Sequence, residues 1–156
     1  MKRLYCLMLL SVFFLGCGGK SGIYTNAQKE QAIVSTQKTR IAIDDNSTIF
    51  LMATYLNNMQ KYSANETEMI ILSYYHSLSL PDIKSDLSKP AVKLNNKNVE
   101  VIELENSDEL LKDIPFNNAW NKHYLLLSKQ ENSNILKLVI EIYPFPSALL
   151  ELTKEL

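Results

Sequence analysis

From Thr36 onward the hydrophobic pattern of this chain has a period of two, broken every few residues by turn-forming side chains. That rhythm excludes a helical bundle and leaves few ways to bury an apolar face. Thr39, Ile41 and Ile43 alternate with Arg40 and Ala42, and Asp44-Asp45-Asn46-Ser47 then turns the chain. Residues 48–56 are rich in Ile, Phe, Leu, Thr and Tyr, which suits a central strand. A loop over 57–66 precedes a third apolar run at 67–78, with Met69, Ile71, Tyr74 and Tyr75, and a long connection follows at 79–90. Val92-Lys93-Leu94 and the run from Val99 to Leu104 flank Asn95-Asn96-Lys97-Asn98, and Asn tolerates the positive φ of a hairpin turn. In the second of these runs Val99, Val101 and Glu103 share one face. Further strands are expected at 123–128, 135–142 and 149–153, the last two separated by Pro144 and Pro146. One short helix is expected near 107–113, with Ser107 as its cap and Pro115 closing the segment. No βαβ rhythm appears. About seven short strands, each with one apolar face to cover, predict an all-β, antiparallel sandwich.

The first residues form a different kind of segment. Lys2 and Arg3 precede an apolar run from Leu4 to Leu15, the pattern of an export signal. As a helix the run would extend roughly 18 Å, against roughly 30 Å of bilayer hydrocarbon. It ends in Phe14-Leu15-Gly16-Cys17, which resembles the lipobox of bacterial lipoproteins. The resemblance implies cleavage after Gly16 and diacylglyceryl attachment to Cys17. Phe14 stands where an aliphatic residue is usual. Gly18 stands where Asp would favour inner-membrane retention, so the outer membrane is expected rather than the inner. Each buried CH₂ of the lipid contributes about 0.8 kcal/mol, and several chains on one cysteine make a lasting tether.

Three segments follow: a signal peptide at 1–16, a lipidated N-terminus and tether at 17–35, and a sandwich domain at 36–156. Within the second, 18–27 is small and polar. The stretch 26–34 holds good helix formers and reads either as one or two helical turns or as the lead into a first strand. Loss of Lys2 and Arg3 leaves 14 basic and 17 acidic residues, a charge of about −3, and so no electrostatic footprint for nucleic acid. Cys6 leaves with the signal and Cys17 is spent on lipid. The domain then has neither disulfide nor thiolate metal site and must fold by packing alone.

Two stretches resemble a known family. Ala53-Thr54-Tyr55-Leu56-Asn57, and Leu110-Leu111-Lys112-Asp113-Ile114-Pro115-Phe116-Asn117-Asn118-Ala119-Trp120-Asn121-Lys122-His123-Tyr124, look like small lipoproteins of spiral Gram-negative bacteria. The resemblance covers the chain from about Thr36. It implies a variant immunoglobulin-like sandwich and carries no established enzymatic role.

Residues able to do chemistry are sparse. His76 and His123 are the only histidines, and neither has a second His or Cys at ligand spacing, so structural or surface roles are expected. No nucleophile-elbow pattern surrounds a serine. Asp44-Asp45-Asn46 lacks the Gly and distal Glu of a calcium loop. Asp44-Asp45-Asn46-Ser47-Thr48 matches the extended bacterial N-glycosylation sequon, making Asn46 a candidate acceptor, although plain turn chemistry selects the same residues. Asn65-Glu66-Thr67 has only the short sequon. Trp120, Tyr124, Tyr74 and Tyr75 are expected in the core, with Trp120 plugging a loop-to-strand junction; the sharper alternative is a partner patch. Tyr143-Pro144-Phe145-Pro146 is the best such patch, its prolines holding Tyr143 and Phe145 in an extended end loop.

These readings predict a non-enzymatic protein-interaction or structural module of the cell envelope, held at the membrane by an N-terminal lipid. It would have an envelope protein partner and no cofactor, metal or nucleic acid. The alternative is a carrier with an apolar ligand between its sheets.

Overall fold

A computed structural model describes residues 23–77 and 87–155 of the chain. Gly16 and Cys17 lie outside them. Among the described residues helix α1 (Ile23–Val34) comes first. The open choice at 26–34 therefore falls to helix, and the helix takes up part of the stretch expected as tether. Nine strands follow among the described residues: β1 (Thr36–Ala42), β2 (Thr48–Tyr55), β3 (Thr67–Ser77), β4 (Ala91–Leu94), β5 (Lys97–Asn98), β6 (Glu100–Leu104), β7 (Lys122–Lys129), β8 (Ile135–Glu141) and β9 (Ala148–Thr153). They form two antiparallel sheets, ordered β1-β2-β3-β7-β6 and β5-β4-β8-β9.

The strand count exceeds the expected seven partly because one run changes sheets. β5 belongs to the second sheet and β6 to the first, with Val99 between them. The expected four-residue turn shrinks to Asn95 and Asn96, whose φ angles of 47° and 66° are the positive values asparagine tolerates. Val99 and Val101 do lean on the core, but Glu103 is exposed. The helix expected near 107–113 is a 3-10 turn, Glu109–Lys112. Its cap is Asp108 rather than Ser107: the Asp108 carboxylate accepts the Leu110 N–H at 2.9 Å. Ser107 is one residue too early, and its hydroxyl points to Glu105 instead.

The period of two resolves into inner and outer faces. Leu51 and Ala53 of β2, Leu72 and Tyr74 of β3, and Tyr124 of β7 meet Leu94, Leu138, Ile140 and Leu152 of the second sheet in one cluster. Tyr74 and Tyr124 stack there with ring centroids 5.8 Å apart. Burying each such side chain contributes about 1.5–3 kcal/mol. A second cluster sits on the outer face of the first sheet. There Ile71 and Leu125 are covered by Ala32 of α1, by Leu56, Met59 and Tyr62, and by Leu111 and Ile114. The start of β1 is tied to α1 where Thr36 Oγ1 donates to the Ala32 carbonyl at 2.6 Å.

One end of the sandwich is fastened by a buried ion pair. Glu68 lies on the inward face of β3 and is 1% exposed. One carboxylate oxygen accepts the Tyr55 hydroxyl at 2.6 Å. The other accepts the Glu131 N–H at 2.7 Å and the Lys154 ammonium. Lys154 also donates to the Glu131 carbonyl. Burial, and then the bond to Glu68, push the Tyr55 phenol well above its ordinary value. Lys154→Met is expected to lower unfolding free energy by about 3–5 kcal/mol in urea titration, because it strands a buried carboxylate. Adding Glu68→Gln should restore part of that loss, since the neutral amide leaves no unpaired charge, its carbonyl accepting the Glu131 N–H while its NH₂ donates to the Tyr55 hydroxyl oxygen.

Candidate functional site

The outer face of the first sheet is built in register rows. Lys38, Met52, Ser73, His123 and Leu104 stand opposite one another across β1, β2, β3, β7 and β6. Arg40, Phe50 and Tyr75 form the next row. The segment 105–121 leaves β6 and returns to β7, and on the way it places Phe116 against β1. The Lys38 ammonium lies 3.4 Å from the centre of the Phe116 ring, a cation–π contact.

Asparagines hold this segment. The Asn117 amide donates to the Leu111 carbonyl at 3.1 Å, and the Asn121 amide donates to the Phe116 carbonyl at 2.7 Å. The Asn118 side chain accepts the Trp120 N–H at 2.9 Å. Phe116 has φ 65°, which a bulky residue adopts only when its surroundings impose it. That backbone turn carries the ring over Lys38.

The result is an aromatic band at one end of the sheet. Phe50 and Tyr75 stack with centroids 6.4 Å apart. With Lys38, Met52, Phe116 and Asn121 they line a shallow concavity of about 250 Å³. Trp120, expected as a core plug, is 79% exposed. The inward row at that end is already filled by the stacked Tyr74 and Tyr124, so the indole lies outside, lining a neighbouring concavity of about 580 Å³ with Glu103, Glu105 and Asn121. Tyr74 and Tyr124 are buried as expected, whereas Tyr75 is partly exposed in the band.

Behind the band lies a buried polar pair. Ser73 Oγ and His123 Nδ1 are 2.8 Å apart, and both residues are buried. His123 Nε2 and Asn121 Oδ1 have no hydrogen-bond partner among the described residues. No carboxylate bonds to the pair among the described residues. Burial pushes the His123 imidazole below its ordinary value of 6.5. His76 is half-buried at the end of β3. Among the described residues no group of three or more His, Cys, Asp or Glu side chains could hold a metal ion.

A small cleft lies beside α1, lined by Ala27, Gln28, Gln31, Met59, Tyr62 and Asp113. Burial alone would raise the Asp113 carboxyl, but bonds from Lys61 at 2.6 Å and Tyr62 at 2.7 Å hold it below the usual range. The sequence offered no sign of this contact.

The remaining candidates are dispersed. Asn46 is exposed at the tip of the β1–β2 hairpin, where its N–H closes a turn onto the Asp44 carboxylate at 2.8 Å. Accessibility and turn chemistry are thus met by the same residue. Tyr143 and Phe145 do not form one patch: Tyr143 is 83% exposed, while Phe145 packs against the intersheet core. Their loop turns tightly, with the Phe145 N–H donating to the Ile142 carbonyl at 2.8 Å and a cis bond at Tyr143-Pro144.

Comparison of the chain with protein-family models, curated proteins and solved structures finds no match.

The His123 environment predicts a pH dependence. An imidazole with a lowered folded pKa leaves the unfolded chain binding more protons below 6.5. The stabilising effect of neutral His123 is then complete above 6.5 and is lost as pH falls from there through the lower folded value. Urea titrations between pH 7 and 5 should show stability declining by up to about 1.4 kcal/mol per unit from this group. His123→Gln should flatten that part of the slope.

Proposed function

We propose that this protein is a lipid-anchored module of the bacterial cell envelope, acting by binding rather than by catalysis. The observation that carries the reading is the placing of its aromatics. Trp120 and Tyr143 stand exposed on ordered end loops of a sandwich whose interior is filled by other side chains. Exposed aromatics on a rigid backbone bind with little loss of freedom. The two-sheet architecture supports the immunoglobulin-like sandwich that the sequence resemblance implied. Cys17 holds the domain at the membrane, the outer one in preference to the inner, and Tyr143 is, among the described residues, the most exposed large hydrophobic side chain available to an envelope protein partner.

The carrier alternative has less behind it. The concavities beside α1 and along the aromatic band open on the outer surface, and none of them lies between the sheets.

The anchor is tested in cells. Protein from a bacterial host with lipoprotein processing should take up a labelled fatty acid and sediment with membranes. Cys17→Ser should lose the label and appear in the soluble fraction. Labelling of the Cys17→Ser protein, or none of the wild type, would overturn the reading.

A further inference from the structure

The aromatic band shares the outer face of the first sheet with α1, the described element nearest to Cys17 in the sequence. α1 packs on the outer face of the first sheet through Ala32, and its first half, at Ala27 and Gln28, lines the cleft with Asp113. Asp113 is three residues before Phe116, in the segment that carries the band. The described chain therefore begins, at α1, on the face of the first sheet that also bears Phe50, Tyr75 and Phe116. Only residues 18–22 separate Cys17 from the start of α1. Fully extended, that stretch reaches no more than about 20 Å. A leash that short, leaving a helix that packs on this face through Ala32, would hold the face within reach of the bilayer.

The chemistry of the face fits that neighbour. Trp and Tyr favour the boundary between headgroups and acyl chains, where an amphipathic ring meets both. Phe50 and Phe116 are 43% and 46% exposed and supply apolar surface beside them. Lys38 and Arg40 on β1 add cations at the rim, suited to lipid phosphates. Asp44 and Asp45 at the hairpin tip and Glu103 and Glu105 by Trp120 balance them. Contact would thus rest on aromatic insertion more than on net charge.

We propose that the outer face of the first sheet, through Phe50, Tyr75, Phe116 and Trp120, docks on the lipid bilayer to which Cys17 anchors the chain. This rests on the anchor reading and assigns the aromatic band its partner, leaving the Tyr143 loop for a protein. The lipid and the face act as two linked contacts. The short tether gives the second a high effective concentration, so weak insertion of a few rings is enough to orient the domain.

Trp120 is the only tryptophan in the chain and reports on the face directly. The mature lipidated protein is reconstituted into phosphatidylethanolamine–phosphatidylglycerol vesicles, with and without bromine on the acyl chains. Its emission is expected to be about twofold or more lower in the brominated vesicles. Replacing the two exposed rings, Phe50→Ser with Phe116→Ser, should return most of that emission with an unchanged circular dichroism spectrum. Should the pair unfold the domain, Tyr75→Ser, at a partly exposed position of the same band, serves in its place. Equal emission in the two kinds of vesicle overturns the proposal, as does quenching that a folded variant leaves unchanged. Trp120 shielded from acrylamide yet untouched by bromine would assign the face to a protein and overturn it too. Mass spectrometry of the same sample reads the lipid on Cys17. An unlipidated chain defeats the anchor and this inference together; a lipidated chain with equal emission defeats this inference alone.

Discussion

A carboxylate buried on the inward face of a strand governs how the two sheets meet. Glu68 shares its face of β3 with Ile70, Leu72 and Tyr74, where an apolar residue would cost nothing to desolvate. Its charge is tolerable there because four groups converge on it or on its partner: the Tyr55 hydroxyl, the Glu131 N–H, the Lys154 ammonium and the Glu131 carbonyl. These come from β2, from the connection between β7 and β8, and from the chain just after β9. A hydrocarbon at position 68 could pack in several registers. The ion pair is satisfied in one, which fixes the second sheet against the first at that end. With no disulfide in the domain, this contact supplies a cross-link of another kind.

Much of the fold could be read from the residues because strand pairing rests on local rules. Inward Leu51, Leu72 and Leu138 follow from alternation, and the Asn95-Asn96 turn follows from the tolerance of asparagine for positive φ. The Glu68–Lys154 pair could not be read, since its members lie 86 positions apart and neither carries a local signature. Trp120 misled for a related reason. A lone tryptophan after Pro115-Phe116 looks like core by composition, but the inward positions of β3 and β7 were already taken by Tyr74 and Tyr124. Occupancy of that kind is decided across strands. α1 was ambiguous because its contact is so small: Ala32 is buried, whereas Ile33 and Val34 are exposed.

Asparagine was legible as a turn former and not as a substitute for backbone. Beyond the end of β2, the Asn57 amide donates to the Thr67 carbonyl and accepts the Met69 N–H, both at 2.8 Å. It continues the β3 ladder for one more step. Asn58 does the same for the end of β9, meeting the Thr153 carbonyl and the Glu155 N–H at 2.9 Å each. Asn95 accepts the Lys137 N–H through its side chain while donating its own N–H to the Lys137 carbonyl. A primary amide carries the same donor and acceptor as a peptide group. Side chains of this kind therefore close strand ends that would otherwise offer unpaired backbone to another chain.

The two halves of the outer face of the first sheet show how these parts combine. Around Ile71 and Leu125 the face is closed by α1 and by the segments at 56–62 and 109–114. Around Phe50 and Tyr75 it is open, although the same loop, by way of Phe116, reaches its border. The loop's asparagine bonds and the positive φ of Phe116 hold it at that line. Backbone strain at a bulky residue costs of order 1–3 kcal/mol. Relaxing Phe116 would carry its ring away from Lys38 and break the border. The open half is thus maintained by the same hydrogen bonds that order the loop, and its aromatic composition belongs to the structure as much as the closed half does.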